Sequence, residues 1–113
     1  MKLLTKEIEN LFKKYGRNSQ DQTPLMERKV LAKFFNPYGV GTWIILECDE
    51  KTESGDYILY GLCSLGYGYE LGYVSLNELA SIRIKPFNLG IERDMYLSKD
   101  CKVKDLINEM ELM

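Results

Sequence analysis

The sequence predicts an α+β protein. We expect a single small domain over residues 1–113, with a mostly antiparallel sheet of four or five strands and N-terminal, middle and C-terminal helices packed on its edges or on one face. Three observations support this prediction. Short apolar and aromatic stretches separated by turn residues fill the middle of the chain, apolar residues recur at helical spacing near both ends, and 113 residues is a usual length for one domain.

The first helix is predicted from an apolar stripe near the N-terminus. The positions i, i+3, i+4 and i+7, which form one face of a helix, hold Ile8, Leu11, Phe12 and Tyr15. Thr5 is suited to cap the first turn, and Gly16 is suited to end the helix. This helix should pack by one face and expose the other.

Strands are predicted at residues 29–35, 42–48, 57–65, 69–75 and 91–97. The first two are joined by the turn sequence at 36–39, so they should form a hairpin. The third is apolar on both faces, which favours a place near the centre of the sheet. In the fourth, Glu70 shares its face with Gly68 and Gly72, so it lies between two positions that have no side chain.

Two further helices are predicted. Ser75 and Glu78 have the S-x-x-E spacing of a capping box, and the helix that they begin should end near Arg83 because Pro86 prevents its continuation. A last helix is predicted from apolar residues at helical spacing, which are Val103, Leu106, Ile107 and Met110.

Composition excludes several classes of chemistry. The chain has no histidine, so Ser-His-Asp and Cys-His catalysis and the common histidine-containing zinc sites are excluded. Cys48, Cys63 and Cys101 have no C-x-x-C spacing, which favours reduced, buried or partly buried thiols. We predict no cofactor.

Charge is unevenly distributed along the chain. Residues 1–33 carry eight basic and four acidic residues, whereas residues 34–80 carry seven acids and only Lys51. The net charge of −2 lacks the basic surplus of a nucleic-acid binder, so we expect no nucleic-acid partner. No apolar run approaches the roughly 20 residues of a membrane span, and no secretory signal is evident. We therefore expect a cytoplasmic protein that does not insert into membranes.

The acidic side chains offer two interpretations of a site. Glu47, Glu70, Glu92 and Asp94 could together bind a divalent cation, since Mg²⁺ accepts oxygen ligands. The favoured interpretation is structural ion pairs with Arg93, Lys33 or Arg83. For Glu70 the leading interpretation is a pair with Arg93, and the alternative is a pocket for a partner.

Three motifs occur in a distinctive order: KFFNPYGVGTWIILE at 33–47, GDYILYGLCSLGYGYELGYVSLNELASIR at 55–83 and LGIERDMYL at 89–97. In order and spacing they resemble the bacterial family known as domain of unknown function 2958. The resemblance covers residues 3–97, and the segment after Leu97 is less typical. It implies a small bacterial protein of a kind frequently encoded on plasmids, conjugative elements or phage-like islands, and it assigns no role to any residue.

The first functional hypothesis is a non-enzymatic accessory or protein-interaction domain associated with mobile elements, with an unknown protein partner. The alternatives are a small carboxylate-dependent divalent-metal enzyme that uses Glu70, Glu92 and Asp94, and a nucleic-acid-associated protein that uses the basic N-terminal third. No catalytic residue and no metal ligand is predicted, and the oligomeric state stays open. The candidate binding residues are Trp43, Glu70, Glu92, Arg93, Asp94 and Lys33.

Overall fold

Five strands form the centre of the computed structural model, which describes residues 1–113: β1 Ala32–Phe35, β2 Thr42–Lys51, β3 Tyr57–Ser64, β4 Glu70–Ser75 and β5 Glu92–Arg93. They make one antiparallel sheet in the order β4-β3-β2-β1-β5. The first four strands are a meander, and β5 returns across the sheet to pair with β1. The predicted α+β class and antiparallel sheet are confirmed.

The helices are α1 Lys6–Lys14, α2 Leu76–Ser81 and α3 Val103–Leu106, with 3-10 turns at Leu25–Glu27 and Glu109–Glu111. The prediction for α1 is confirmed in detail. The Thr5 hydroxyl accepts a hydrogen bond from the Ile8 N–H at 3.1 Å. Ile8 and Phe12 are buried, and the other two residues of the stripe pack against the same core.

Hydrophobic cores lie on both faces of the sheet. The larger core joins α1 and α2 to one face and includes Leu3, Phe34, Ile45, Leu59 and Ile91. On the other face, the C-terminal segment packs on β2 and β3 through Cys101, Val103 and Ile107. The helical segments therefore cover both faces, whereas the sequence predicted helices on the edges or on one face.

The junction between β4 and α2 is held by the predicted cap and by a residue that the prediction missed. The Ser75 hydroxyl accepts from the Glu78 N–H at 3.2 Å. That hydroxyl also donates to Asp56, which comes just before β3 and accepts from the Asn77 N–H at 2.9 Å. Asp56 accepts from the Tyr57 N–H as well. Desolvation opposes the charged form of Asp56, but these hydrogen bonds outweigh it and lower its pKa.

Two strands are much shorter than predicted, whereas β3 and β4 are each one residue shorter and β2 extends three residues further. β1 begins at Ala32 and not at residue 29, because the backbone of Lys29 bonds the side chain of Gln20 through both its N–H and its carbonyl. β5 ends at Arg93 and not at residue 97, because the Asp94 carboxylate accepts from the Tyr96 N–H and turns the chain. Polar contacts thus set the beginning of β1 and the end of β5.

The last helix is also shorter than predicted. α3 ends at Leu106, and Ile107 is extended, with φ −138° and ψ 162°. Ile107 is buried in the second core, whereas Met110 is 94% exposed. The helix therefore stops where Ile107 packs on the sheet in extended form, and the predicted helical stripe does not continue to Met110.

Gly61 on β3 lies where the register between β2 and β3 shifts, between Ile45 and Glu47. A Cβ at this position would lie 2.0 Å from the Ile44 carbonyl oxygen. The close approach of the two strands therefore requires glycine at position 61.

Candidate functional site

One row of directly paired residues crosses the whole sheet and contains three of the candidate residues. The pairs link Glu70 to Cys63, Cys63 to Trp43, Trp43 to Phe34 and Phe34 to Arg93. Directly paired residues share a face, so all five lie on the face covered by α1 and α2. Four strand spacings of about 4.8 Å separate the ends of the row by roughly 19 Å. The predicted ion pair between Glu70 and Arg93 is therefore wrong.

The other candidate residues lie near β5. Glu92 pairs with Phe35, and Lys33 pairs with Ile44, so both are on the face opposite Arg93. The Asp94 N–H donates to the Lys33 carbonyl at 2.9 Å. Trp43 lies on β2 in the interior of the sheet, half-buried against the larger core.

The predicted ion pairs of the acidic candidates are not formed. The four salt bridges are elsewhere, and Glu70, Glu92 and Asp94 take part in none. Glu70 lies at the opposite edge of the sheet from the other two acids, and no three acidic or thiol side chains converge on a point where a metal ion could bind. The carboxylate constellation of the metal-enzyme hypothesis is therefore not assembled.

Glu47 has a structural role that explains its burial. Its carboxylate accepts from the Asn18 N–H at 3.2 Å and from the Gln20 N–H at 2.9 Å. The Gln20 amide in turn donates to the carbonyls of Leu46 and Lys29. A buried carboxylate is stable when backbone donors bind it. Glu47 therefore fixes the loop after α1 and does not belong to a site.

The outer side of β4 is an open strand edge. The chain near the C-terminus reaches it only at its beginning, where the Tyr69 N–H donates to the Glu111 carbonyl and the Met113 N–H donates to the Tyr69 carbonyl. Since backbone groups alternate in direction along a strand, Leu71 and Tyr73 also point their N–H and carbonyl groups outward. No strand pairs with them.

Exposed apolar side chains surround this edge. We call them the β4 patch: Leu65, Tyr67, Leu71, Tyr73 and Met113. Leu71 is 43% exposed and Tyr73 is 66% exposed. A cavity of about 470 Å³ opens between Tyr67, Glu70 and Met113, and a Cβ added at Gly72 would meet nothing within 4 Å. The edge is thus both apolar and accessible.

The sequence profile of one protein family matches residues 3–111. The chain belongs to that family, described as protein of unknown function (DUF2958). The match extends past Leu97, where the motif resemblance ended, as far as Glu111, whose carbonyl accepts from the Tyr69 N–H beside β4. No curated protein and no solved structure matches this DUF2958 chain. None of its helices has the length and apolar character needed to cross a bilayer.

The chemistry at the β4 edge of this DUF2958 domain is suited to binding. Glu70 is exposed and has no cationic partner. Burial, and then the neighbouring Glu70 carboxylate, raise the pKa of the Cys63 thiol. Cys63 is therefore a neutral thiol near pH 7 and not an activated nucleophile. The three cysteines are free, and Cys48 and Cys101 are buried, as predicted.

Sequence reasoning identified Glu70 but missed the apolar side chains beside it. Alternation predicts that Glu70 and Gly72 share one face of the fourth strand, and Leu71 and Tyr73 accordingly lie together on the other face. The missing information was the order of the strands. Only that order shows that β4 is an edge, and Leu65 and Met113 join the patch through loop and tail contacts that leave no periodic signal.

Proposed function

We propose that this protein is a non-enzymatic accessory domain that binds an extended segment of a partner protein along β4. We place it in the bacterial cytoplasm and, on the strength of the family resemblance, among the products of mobile elements. The observation that carries the proposal is the unpaired edge of β4 with the apolar β4 patch around it.

The backbone of the edge supports binding of an extended strand. A partner strand can donate to and accept from the outward groups of Leu71 and Tyr73, which is the usual way in which a sheet takes up an additional strand. Natural proteins protect free edges with short strands, charged side chains or proline. β4 has six residues with leucine and tyrosine at its outward-bonding positions. Its one charged side chain, Glu70, lies at its beginning, and it has no proline, so the edge is only weakly protected.

Charge defines the partner further. Glu70 forms no salt bridge, and residues 34–80 carry seven acids against one lysine. A lysine or arginine in the partner strand would pair with Glu70, while apolar side chains on the same strand would cover Leu71 and Met113. A second copy of this chain would bring two acidic regions together. We therefore propose a different protein as the partner.

Selection of ligands from a random peptide display library against the intact protein tests this proposal. We expect enriched peptides to alternate apolar residues and to carry a basic residue. Fluorescence anisotropy should show that Leu71→Lys and Glu70→Lys each weaken a selected peptide by about tenfold or more. Tyr96→Lys is the matched control, because Tyr96 is an exposed aromatic residue near the other edge.

A charge exchange makes the test specific. Replacing the basic residue of the peptide with glutamate should abolish binding to the original protein and restore it to Glu70→Lys. The proposal is overturned if no peptide is enriched or if binding is indifferent to the β4 substitutions. It is also overturned if light scattering finds a dimer that Leu71→Lys dissociates, since the second copy would then be the occupant.

A further inference from the structure

A second cavity lies about four strands away from the β4 patch, on the β5 side of the sheet. It has a volume of about 290 Å³ and lies between the first half of α1 and the segment that follows β5. Apolar side chains make up half of its lining, among them Ile8, Leu11, Leu31, Met95 and Leu97. We call this cavity the β5 cleft.

Five charged residues also line the β5 cleft: Glu7, Lys29, Arg93, Asp94 and Lys99. None of them takes part in a salt bridge, so the three cations are free to attract an anion. The Lys29 ammonium donates to the Lys99 carbonyl, which holds its positive charge at the cleft. The net charge of the residues that line the cleft is therefore +1.

Arg93 is the main candidate to bind an anion. Its guanidinium donates one hydrogen bond, from Nη1 to the Lys2 carbonyl, and makes no other side-chain hydrogen bond within the protein. The residue is half-buried, so its charge is partly removed from water without a carboxylate partner. A guanidinium has five N–H donors in a planar fork that matches a carboxylate. The N–H groups of Arg93 that make no hydrogen bond within the protein lie at the edge of an apolar cavity. They are therefore suited to bind a carboxylate.

The size and charge of the cleft limit the ligand. A volume of about 290 Å³ is at the lower end of the range for small-molecule sites, which is roughly 300–1,000 Å³. The apolar lining requires an apolar portion in the ligand. Glu7 and Asp94 would repel additional negative charges, which disfavours nucleotides and polyphosphates.

We propose that the β5 cleft binds a small amphipathic monocarboxylate, with the carboxylate on Arg93 and the apolar portion between α1 and the segment after β5. This site is separate from the partner-binding edge at β4. Two of the residues that the sequence singled out line this cleft: Arg93, which binds the carboxylate, and Asp94, which disfavours ligands with further negative charge.

Titration with 2-naphthoate, followed by two-dimensional NMR of the intact protein, tests the proposal. We expect saturable shifts in the amides of residues 5–11 and 93–99 at up to millimolar ligand. The uncharged amide of the same ring system, 2-naphthamide, should bind at least about tenfold more weakly, since it lacks the charge that the guanidinium recognises.

Protein variants assign the effect to Arg93. Arg93→Gln should weaken 2-naphthoate by about tenfold, and Arg93→Lys should retain part of the affinity because it keeps the charge but loses the fork. Arg83→Gln, an exposed arginine that does not line the cleft, is the matched control. If Arg93→Gln does not fold, Lys99→Gln serves in its place, with an expected loss of about threefold.

Three outcomes overturn the proposal. One is the absence of saturable shifts at millimolar 2-naphthoate. Another is equal binding of the carboxylate and the amide. The third is a set of shifts confined to β4, which would mean that the ring merely adheres to the exposed β4 patch.

Discussion

The two edge strands of the sheet, β5 and β4, differ in length and in how far the rest of the chain covers them. β5 has only two residues, and the N-terminal segment covers it: the Arg93 N–H approaches the Met1 sulfur at 3.2 Å and the Arg93 side chain donates to the Lys2 carbonyl. β4 has six residues, and the C-terminal segment reaches only Tyr69 at its beginning. The β5 edge is short, charged and covered, while the β4 edge is longer, open and mainly apolar, with Glu70 as its one charged residue.

This difference shows that the open edge is not a general property of so small a sheet. The chain has the means to close an edge, because it closes the one at β5. A free apolar edge exposes a protein to unwanted pairing with other strands. A free apolar edge is present only at β4, so we place the partner-binding site on that side of the molecule.

The largest effect is expected from a substitution in β3, the strand that pairs with the open edge strand β4. Gly61→Ala would place a Cβ 2.0 Å from the Ile44 carbonyl oxygen and 3.0 Å from the Ile45 Cα, and these are backbone atoms of β2 that cannot move aside as a flexible side chain can. We expect a loss of more than about 4 kcal/mol in the free energy of unfolding, or failure to fold. Urea denaturation followed by circular dichroism measures it.

The control for Gly61→Ala is its partner across the strands, Gly72. A Cβ there would meet nothing within 4 Å, so Gly72→Ala should be neutral or stabilise the protein by up to about 1 kcal/mol. Similar losses for the two substitutions would contradict the structure of the β3 and β4 pair.

Substitution of one leucine at each edge compares how much side-chain packing stabilises the covered edge and the open edge. Leu3 is 4% exposed beside β5 and packs in the larger core, whereas Leu71 is 43% exposed on β4. Leu3→Ala should lower the free energy of unfolding by about 3 kcal/mol, and Leu71→Ala by less than about 1 kcal/mol. Thermal and urea denaturation of both variants give the comparison.

The same two variants should differ in the opposite sense in binding. Leu71→Ala should weaken a peptide selected on β4, while Leu3→Ala, measured at a temperature where it is folded, should not. Equal stability losses in the two variants would mean that the edges are equally packed and that the contrast between them does not hold.

The contrast between the edges also explains what could be predicted from the sequence. The spacing of Ile8 and Phe12 and the cap at Thr5 are local, and the structure confirms them. The alternation that places Glu70 beside Gly72 is local as well. The supposed contact between Glu70 and Arg93 required the order of the strands. That order depends on the return of β5 to β1, a long-range pairing that no periodicity encodes.

The C-terminal segment was mispredicted for a related reason. Helical spacing extends through Ile107 and Met110, but Ile107 gains more by packing in extended form on the second core than by continuing the helix. The result places Glu111 and Met113 against Tyr69, where the C-terminal segment covers the beginning of the β4 edge. Tertiary burial outweighed local periodicity at the point that shapes the candidate site.

The smallest expected effect concerns the far end of β4, where Asp56 holds the junction with α2. Asp56→Ala should lower the free energy of unfolding by about 1 kcal/mol at neutral pH, as loss of a helix cap does. The hydrogen bonds to Asp56 lower its pKa below the ordinary value of 3.8, so its contribution is complete above that value and is lost as pH falls through the lower folded pKa. The difference between the two proteins should therefore shrink in urea denaturation at about pH 3 and below.

Asp100→Ala is the control, because Asp100 is exposed and its carboxylate binds nothing, and it should change stability by less than about 0.5 kcal/mol at both pH values. Amide hydrogen exchange at neutral pH adds the comparison of edges: Asp56→Ala should speed exchange at residues 73–77 and leave Glu92 and Arg93 unchanged. Faster exchange at both edges would mean that the junction supports the whole sheet, and β4 would then have no separate support at its end.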